Sequence, residues 1–135
     1  MTLSIIAAIF VWKLVPETKG KTLEDMTRLW KERKIYTGCN IENAAYTPSN
    51  CAERTAFFKA VSDGERNFRA IAIVGGKEGE KDYDFCSPCG VCRQVMMEFC
   101  DPEEFEIVLG NSTGDIKVIK LKDILPEGFG PENLE

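Results

Sequence analysis

The chain has 135 residues, 44% of them hydrophobic and 29% charged, which suits one domain with one buried core. Its net charge of -5 argues against a nucleic-acid partner, because such proteins neutralise phosphates with clustered Lys and Arg. Histidine is absent, so any metal or proton chemistry falls to carboxylates, thiols or water. The sequence therefore predicts a small polar substrate rather than nucleic acid.

The first predicted element is an apolar run from Thr2 to Val15. It lacks the cationic lead and the small-residue cleavage site of an export signal. It is also shorter than the roughly 20 apolar residues that span a bilayer, and Lys13 interrupts it. We therefore expect a cytoplasmic protein without a membrane partner.

Next come a helix, a short strand and a loop. The helix begins at Thr22, a candidate N-cap, and its apolar stripe is Leu23, Met26, Leu29 and Trp30. The strand is predicted over residues 34–41 and the loop over residues 42–50.

A second helix is predicted from Cys51 to Ser62, with Asn50 as its cap and Asp63-Gly64 as its stop. Its expected packing residues are Phe57, Phe58 and Val61. A buried strand then runs from Phe68 to Val74 and is closed by Gly75-Gly76.

A third helix is predicted to open with Pro88 at its first turn. Its expected apolar stripe is Val91, Val95, Met96 and Phe99. Two more strands, Phe105–Leu109 and Ile116–Leu121, flank a turn over residues 111–115. The alternation of strands and helices predicts a layered α/β domain.

Cysteines stand at the beginnings of two of these helices: Cys51 opens one, and Cys89 with Cys92 opens the next. Helix N-termini favour thiolates, and residues three apart share one face of a helix turn. Three protein ligands suit a catalytic zinc, which keeps a fourth position open. Glu53, two residues after Cys51, is placed to handle the protons of a water that the metal activates.

Other readings of the six cysteines stay open at this point. They could form a disulfide framework, although that favours secreted chains shorter than about 100 residues. A Cys-x-x-Cys pair alone could be a redox pair or part of a structural zinc site. We interpret Cys39, Cys86 and Cys100 as packing or incidental thiols, with Cys86 a minor competitor for the metal.

The motifs resemble those of the small homotetrameric cytidine deaminases from about residue 34 to the end. The segments that carry the resemblance are Tyr36-Thr37-Gly38-Cys39-Asn40-Ile41-Glu42-Asn43, Cys51-Ala52-Glu53-Arg54-Thr55-Ala56 and Ser87-Pro88-Cys89-Gly90-Val91-Cys92-Arg93-Gln94. A ligand-x-Glu unit followed by Pro-Cys-x-x-Cys is the signature of zinc deaminases that act on cytosine. Blasticidin deaminases share the two metal motifs.

The resemblance implies a three-layer fold, with helices flanking a mixed sheet, and a homotetramer. The implied reaction is zinc-dependent hydrolysis of cytidine or deoxycytidine to uridine or deoxyuridine and ammonia, as in pyrimidine salvage. Glu53 would move the protons, while Asn40 and Glu42 would bind the ribose hydroxyls. Arg54 and Arg93 would donate to the ligand sulfurs and offset their charge.

Two aromatic residues match positions at which the family builds contacts between subunits. Phe129 would cover the base in a neighbouring subunit's site, and Tyr46 would lie in a subunit interface. Alternatively, both could be ordinary surface or core aromatic residues.

Residues 1–33 do not resemble a cytidine deaminase, which normally begins with a helix and an inner strand. Residues 15–24 are similar instead to the tail of a major facilitator sugar transporter. The predicted organisation is therefore a transporter-like segment over 1–33 and a deaminase-like catalytic domain over 34–135.

The missing inner strand would leave backbone groups unpaired, and the apolar, β-branched stretch from Leu3 to Leu14 is a candidate to replace it. Two alternatives to an active enzyme remain. One is an inactive zinc-binding relic, and the other is a membrane-tethered interaction protein.

Overall fold

The computed structural model describes the backbone of residues 3–11 and the whole of residues 34–134. Within these ranges one sheet is built from strands β1 (Leu3–Val11), β2 (Lys34–Cys39), β3 (Ala70–Lys77), β4 (Glu106–Gly110) and β5 (Ile116–Lys120). The helices are α1 (Ala52–Ser62), α2 (Gly90–Phe99) and α3 (Leu121–Ile124), and a 3-10 turn follows over Pro131–Leu134.

The strand order explains where the helices begin. The order is β2-β1-β3-β4-β5, with β3 and β4 parallel and the other neighbours antiparallel. Because β2 and β3 both run opposite to β1, they run in the same direction, and α1 and α2 each follow the carboxyl end of one of them. Crossovers of one hand place both helices on one face of the sheet, with their N-termini at one edge. The predicted fold class, a mixed sheet flanked by helices, is confirmed.

Strand β1 occupies the inner position that the sequence left in question. Its Ala7 lies opposite Gly38 on β2 and opposite Ile73 on β3. The expectation that the apolar start supplies an inner strand is therefore confirmed for the backbone of residues 3–11. The predicted helix after Thr22 and the transporter-like stretch lie outside the described residues.

The core lies between the sheet and the two longer helices. Phe57 of α1 is fully buried and contacts three other aromatic rings, with the Phe68 ring centroid 5.0 Å away. Ile71, Ile73 and Ile107 of β3 and β4 pack against the same cluster. None of the helices in the described ranges combines the length and apolarity needed to cross a membrane.

Two packing predictions and one strand prediction were wrong. Phe58 and Val91 are 47% and 58% exposed, because the buried face of each helix is rotated from the predicted one: α1 buries Ala56 and Ala60, and α2 buries Met97. Strand β3 begins at Ala70 and runs through Gly75 and Gly76 to Lys77. A Cβ on Gly76 would lie 2.7 Å from that of Tyr83, so this glycine admits a neighbouring loop rather than ending the strand.

Both helix starts also differ from prediction by one or two residues. The N-cap of α1 is Cys51, not Asn50, and the Ala52 N–H donates to the Asn40 side-chain oxygen at 2.9 Å. Helix α2 is capped by Cys89 and begins at Gly90, so Pro88 precedes the cap. The two cap positions are therefore occupied by sulfur-bearing side chains.

Gly38→Ala should destabilise the fold strongly. A Cβ at Gly38 would lie 2.6 Å from the backbone nitrogen of Ala56 and closer still to the carbonyl oxygen of Ala52. Since backbone atoms cannot turn aside as a flexible side chain can, α1 must move away from β2, at a cost of about 2–3 kcal/mol. Urea denaturation would measure the loss.

Gly90→Ala is the matched control, because a Cβ at Gly90 meets nothing within 4 Å. Alanine is the better helix former, so this variant should be unchanged or up to about 1 kcal/mol more stable. Equal unfolding free energies for the two variants would contradict the close packing of α1 on β2.

Candidate active site

Three cysteine sulfurs meet where the N-termini of α1 and α2 converge. The Cys51 and Cys89 sulfurs are 3.8 Å apart, and the Cys89 and Cys92 sulfurs are 3.4 Å apart. All three lie within 4.8 Å of one another, and they are the one such group of potential ligands found in the described ranges. The helix crossovers explain this meeting, since each helix brings its first turn to the same sheet edge.

The sulfur positions fit a zinc ion. With Zn–S bonds of about 2.3 Å, tetrahedral ligation separates two sulfurs by about 3.8 Å, close to the distances observed. Thiolates are among the ligands that zinc prefers, and three of them leave one position for another ligand. The predicted cofactor, Zn²⁺, is therefore supported by both the donor set and its geometry.

The two cysteines at the start of α2, the N-cap Cys89 and Cys92, differ in their tendency to ionise. Burial opposes ionisation of Cys89, but hydrogen bonds from the Cys92 backbone and thiol outweigh it and lower the Cys89 pKa. Burial, with the nearby Glu53 charge, raises the pKa of the Cys92 thiol. A divalent cation would reverse the Cys92 preference, because metal binding displaces thiol protons.

Glu53 is a buried carboxylic acid beside these sulfurs. It is 2% exposed, and its Oε2 atom has no hydrogen-bond partner. Burial raises the pKa of Glu53, against smaller lowering effects from its own backbone, the Arg54 charge and the Cys92 thiol. A carboxyl group that gains protons easily and has an unpaired oxygen is suited to proton transfer with a bound ligand.

The two arginines next to the ligands behave differently. The Arg54 guanidinium lies 3.6 Å from the Cys51 sulfur, to which it donates, and this hydrogen bond raises the Arg54 pKa. Arg93 donates to the Pro88 carbonyl at 2.8 Å and to the Ile124 carbonyl at 2.7 Å. The predicted hydrogen bond from Arg93 to a sulfur therefore stays a prediction, while Arg54 has the contact expected of it.

The other predicted site residues lie around this centre. Asn40 is tied to the start of α1 through its bond to the Ala52 N–H. Glu42 is exposed in the loop that follows β2. Phe129 is 59% exposed, and its carbonyl accepts a hydrogen bond from Gln94 at 2.8 Å.

The three remaining cysteines are outside the ligand cluster. Cys39 is exposed on β2, while Cys86 and Cys100 are partly buried and pack against the core. Burial raises the pKa of both the Cys86 and the Cys100 thiols. All six cysteines are free, which disagrees with the alternative of a disulfide framework.

Sequence reasoning missed two contributions to the site. Asn40 reaches α1 across 12 residues of sequence, a separation for which no local capping pattern exists. Gln94 stands in the segment that carries the metal motif, but its partner lies 35 residues further on. Only the tertiary structure brings these groups to their partners.

The fold and the site together define a zinc-dependent deaminase, and comparison with known proteins identifies the family. Residues 28–107 match the family model of the cytidine and deoxycytidylate deaminase zinc-binding region. The cytidine deaminase of Sporosarcina psychrophila is 51% identical over 106 residues, 78% of this chain and 74% of the relative. That of Halalkalibacterium halodurans is 45% identical over 106 residues, 78% of this chain and 76% of the relative.

A solved structure agrees with this assignment. The crystal structure of cytidine deaminase from Burkholderia pseudomallei aligns with a TM-score of 0.70 at 38% identity, covering 94% of this chain and 82% of that chain. The chain belongs to the cytidine deaminase family.

Arg54→Met should lower the affinity for zinc by about 10–100-fold, the usual effect of removing a group that hydrogen-bonds a metal ligand. Methionine keeps most of the side-chain volume but removes the charge and the donor to the Cys51 sulfur. Competition with a chromophoric chelator would measure the affinity. Arg66→Met is the control, because Arg66 is exposed and donates to backbone carbonyls of residues 61 and 65. Equal affinities in both variants would contradict a role for Arg54 at the sulfur.

Proposed function

We propose that this chain catalyses the hydrolytic deamination of cytidine and deoxycytidine to uridine and deoxyuridine, with release of ammonia. The observation that carries the proposal is Glu53, a buried carboxyl group with an unpaired oxygen beside three clustered sulfurs. The relatives named cytidine deaminase support the substrate class. The proposed place of this reaction is pyrimidine salvage.

Glu53 is the proton carrier in this proposal. Cys51, Cys89 and Cys92 would hold a zinc ion, which would act as a Lewis acid and make water a better nucleophile. Glu53 accepts a proton from the water that attacks C4 of the base and passes it to N3. It then takes the remaining proton of the hydroxyl on C4 and gives it to the amino group, so that the C4 carbonyl forms as the carbon–nitrogen bond breaks and ammonia leaves. Burial supports this role by holding the Glu53 pKa above its ordinary value.

Asn40 and Glu42 are the proposed ligands of the ribose hydroxyls. An amide and a carboxylate suit hydroxyl groups, which both donate and accept hydrogen bonds. The bond between Asn40 and the Ala52 N–H supports the assignment, because it anchors Asn40 one residue from the ligand Cys51.

The proposed assembly is a homotetramer in which subunits share sites. Phe129 would cover the base in a neighbouring subunit, and Tyr46 would pack in an interface. Their exposures of 59% and 85% support contacts beyond a single chain, since both are large aromatic side chains. Tyr46 also has a φ of 61°, a left-handed conformation that a bulky residue adopts at some cost.

The proposed organisation assigns residues 34–135 to the catalytic domain and residues 1–33 to a segment of transporter-like origin. The place of β1 between β2 and β3 supports a structural role for the first segment. A cytoplasmic location is proposed because the ligand set needs reduced thiols.

A direct assay separates the active enzyme from an inactive zinc-binding relic. Zinc-loaded protein is mixed with cytidine, and conversion to uridine is followed by the fall in ultraviolet absorbance and by ammonia release. Turnover supports the proposed function. Zinc bound at one ion per chain without turnover would favour the relic, because the metal ligands would then be intact but the nucleoside site incomplete.

A further inference from the structure

The C-terminal arm, residues 125–130, lies along the helix that carries two of the zinc ligands. Gly130 is buried, and a Cβ on it would lie 2.9 Å from the Met97 methyl group of α2. The arm also turns sharply at Glu127, whose φ of 54° is left-handed. Residues 125–130 therefore pack against the domain in a defined conformation.

Two consecutive side chains of α2 fasten this arm. Arg93 donates to the Ile124 carbonyl at 2.7 Å, just before the arm begins. Gln94 donates from its side-chain amide to the Phe129 carbonyl at 2.8 Å, close to the end of the arm. Both follow Cys92 directly in the sequence, so the arm is fastened to the same helical turn that holds a zinc ligand.

The Phe129 ring itself has little support within the chain, because the residue is 59% exposed. Its position therefore depends on where the backbone carbonyl is held. Since Gln94 is exposed and lies outside the core, its hydrogen bond contributes to the course of the arm more than to the stability of the domain.

We propose that Gln94 is a positioning residue, which sets the Phe129 ring for substrate binding through its hydrogen bond to the Phe129 carbonyl. This inference rests on the proposed function, in which Phe129 contacts the base. Through this hydrogen bond, α2 of one subunit positions the Phe129 ring of the same subunit.

Gln94→Met tests the inference, because methionine has a similar shape but cannot donate a hydrogen bond. In the zinc-loaded protein we expect KM for cytidine to rise about fivefold, with kcat nearly unchanged, as for loss of an interaction made equally in ground and transition states. Glu98→Met, on an exposed position of the same helix, is the matched control and should leave both constants unchanged.

A double-mutant cycle with Phe129→Ala separates positioning from general damage. If Gln94 acts through Phe129, then Gln94→Met has no further effect on kcat/KM once the ring is removed. An equal loss of kcat/KM in both backgrounds would overturn the inference, and so would an unchanged KM in the single variant.

Hydrogen exchange supplies a readout that does not depend on turnover. Amides of residues 127–130 should exchange faster in Gln94→Met than in Glu98→Met, with unchanged exchange in β3 and β4. Equal exchange of the arm in the two variants overturns the inference. If the wild-type protein does not convert cytidine, the proposed function fails, while the exchange comparison still decides whether Gln94 holds the arm.

Discussion

Replacing Glu53 by glutamine is expected to lower kcat by about 10²–10⁴-fold, the usual contribution of a positioned general acid and base. Glutamine has nearly the same shape, but it cannot accept and return a proton at neutral pH. The measurement is steady-state turnover of cytidine by zinc-loaded protein, with zinc content determined on the same samples. The loss should appear in kcat while one zinc ion per chain is retained.

Glu98→Gln is the matched control for that experiment, because it makes the same chemical change at an exposed position on α2. Its turnover should equal that of the wild-type protein. Activity of Glu53→Gln within a factor of about three of wild type would be incompatible with proton transfer by Glu53. Loss of zinc from the variant would show instead that the carboxylate serves the metal site.

The same variant, Glu53→Gln, should show that the Glu53 carboxylate does not stabilise the fold. Burial raises the Glu53 pKa in the folded protein, so the folded state binds this proton more tightly than the unfolded state. The associated stability is present below the unfolded pKa and is lost as pH rises through the folded pKa. Without metal at neutral pH, Glu53→Gln should therefore unfold at a urea concentration equal to or higher than wild type.

Cys92→Ser is expected to abolish stable zinc binding, since it removes one of three protein ligands and leaves a hydroxyl that is a much weaker zinc ligand. Cys92 is 1% exposed, so its sulfur is held close to the other two by the surrounding core. We expect zinc content to fall from about one ion per chain to below about 0.1 after dialysis, with activity lost in parallel.

The number of cysteines that react with an alkylating reagent shows which of them are bound to zinc. The chain has six cysteines. Denaturing alkylation after zinc removal should label all six, while native zinc-loaded protein should protect Cys51, Cys89 and Cys92 from the reagent. Chelation of the native wild-type protein should therefore make Cys51 and Cys89 reactive, while Cys92 stays buried until the protein is denatured, and chelation of Cys92→Ser should expose no further thiol.

Cys39→Ser is the control for the cysteine experiment, because Cys39 is exposed and lies outside the cluster. This variant should bind zinc normally and lose one reactive thiol both before and after chelation. Chelation should also lower the Tm of wild type and Cys39→Ser, since a ligand present at 1,000 times its Kd stabilises the fold by about 4 kcal/mol. A chelator-dependent Tm in Cys92→Ser would contradict the assigned ligand set.

The candidate site could be predicted from the sequence because part of it depends on local spacing. Cys89 and Cys92 lie three residues apart on one helical turn, and Glu53 follows Cys51 by two residues on another. Helix geometry relates the groups within each pair, while the meeting of all three sulfurs within 4.8 Å, as predicted from the motifs, depends on the crossovers that bring the two helix starts together. Strands β2, β4 and β5 were likewise predicted from short apolar runs.

Long-range packing could be decided only by the tertiary structure. The apolar pattern of α1 predicted that both Phe57 and Phe58 pack in the core. Close contact of α1 with β2 at Gly38 fixes the rotation of the helix, so that Phe57 is buried and Phe58 is not. Gly75 and Gly76 looked like a strand end, yet β3 continues through them because β1 pairs along its whole length. Neither outcome is contained in a local window.

The sequence by itself predicted the zinc ligands and the proton carrier, because their spacing along two helix starts is a local property. It suggested a replacement for the inner strand but could not decide it, since apolar, β-branched residues suit any buried strand position. The tertiary structure placed residues 3–11 between β2 and β3, where hydrogen bonds on both sides satisfy the backbone groups that would otherwise be unpaired. It also fastened the arm to α2 through Gln94, a contact across 35 residues that only the folded chain makes possible.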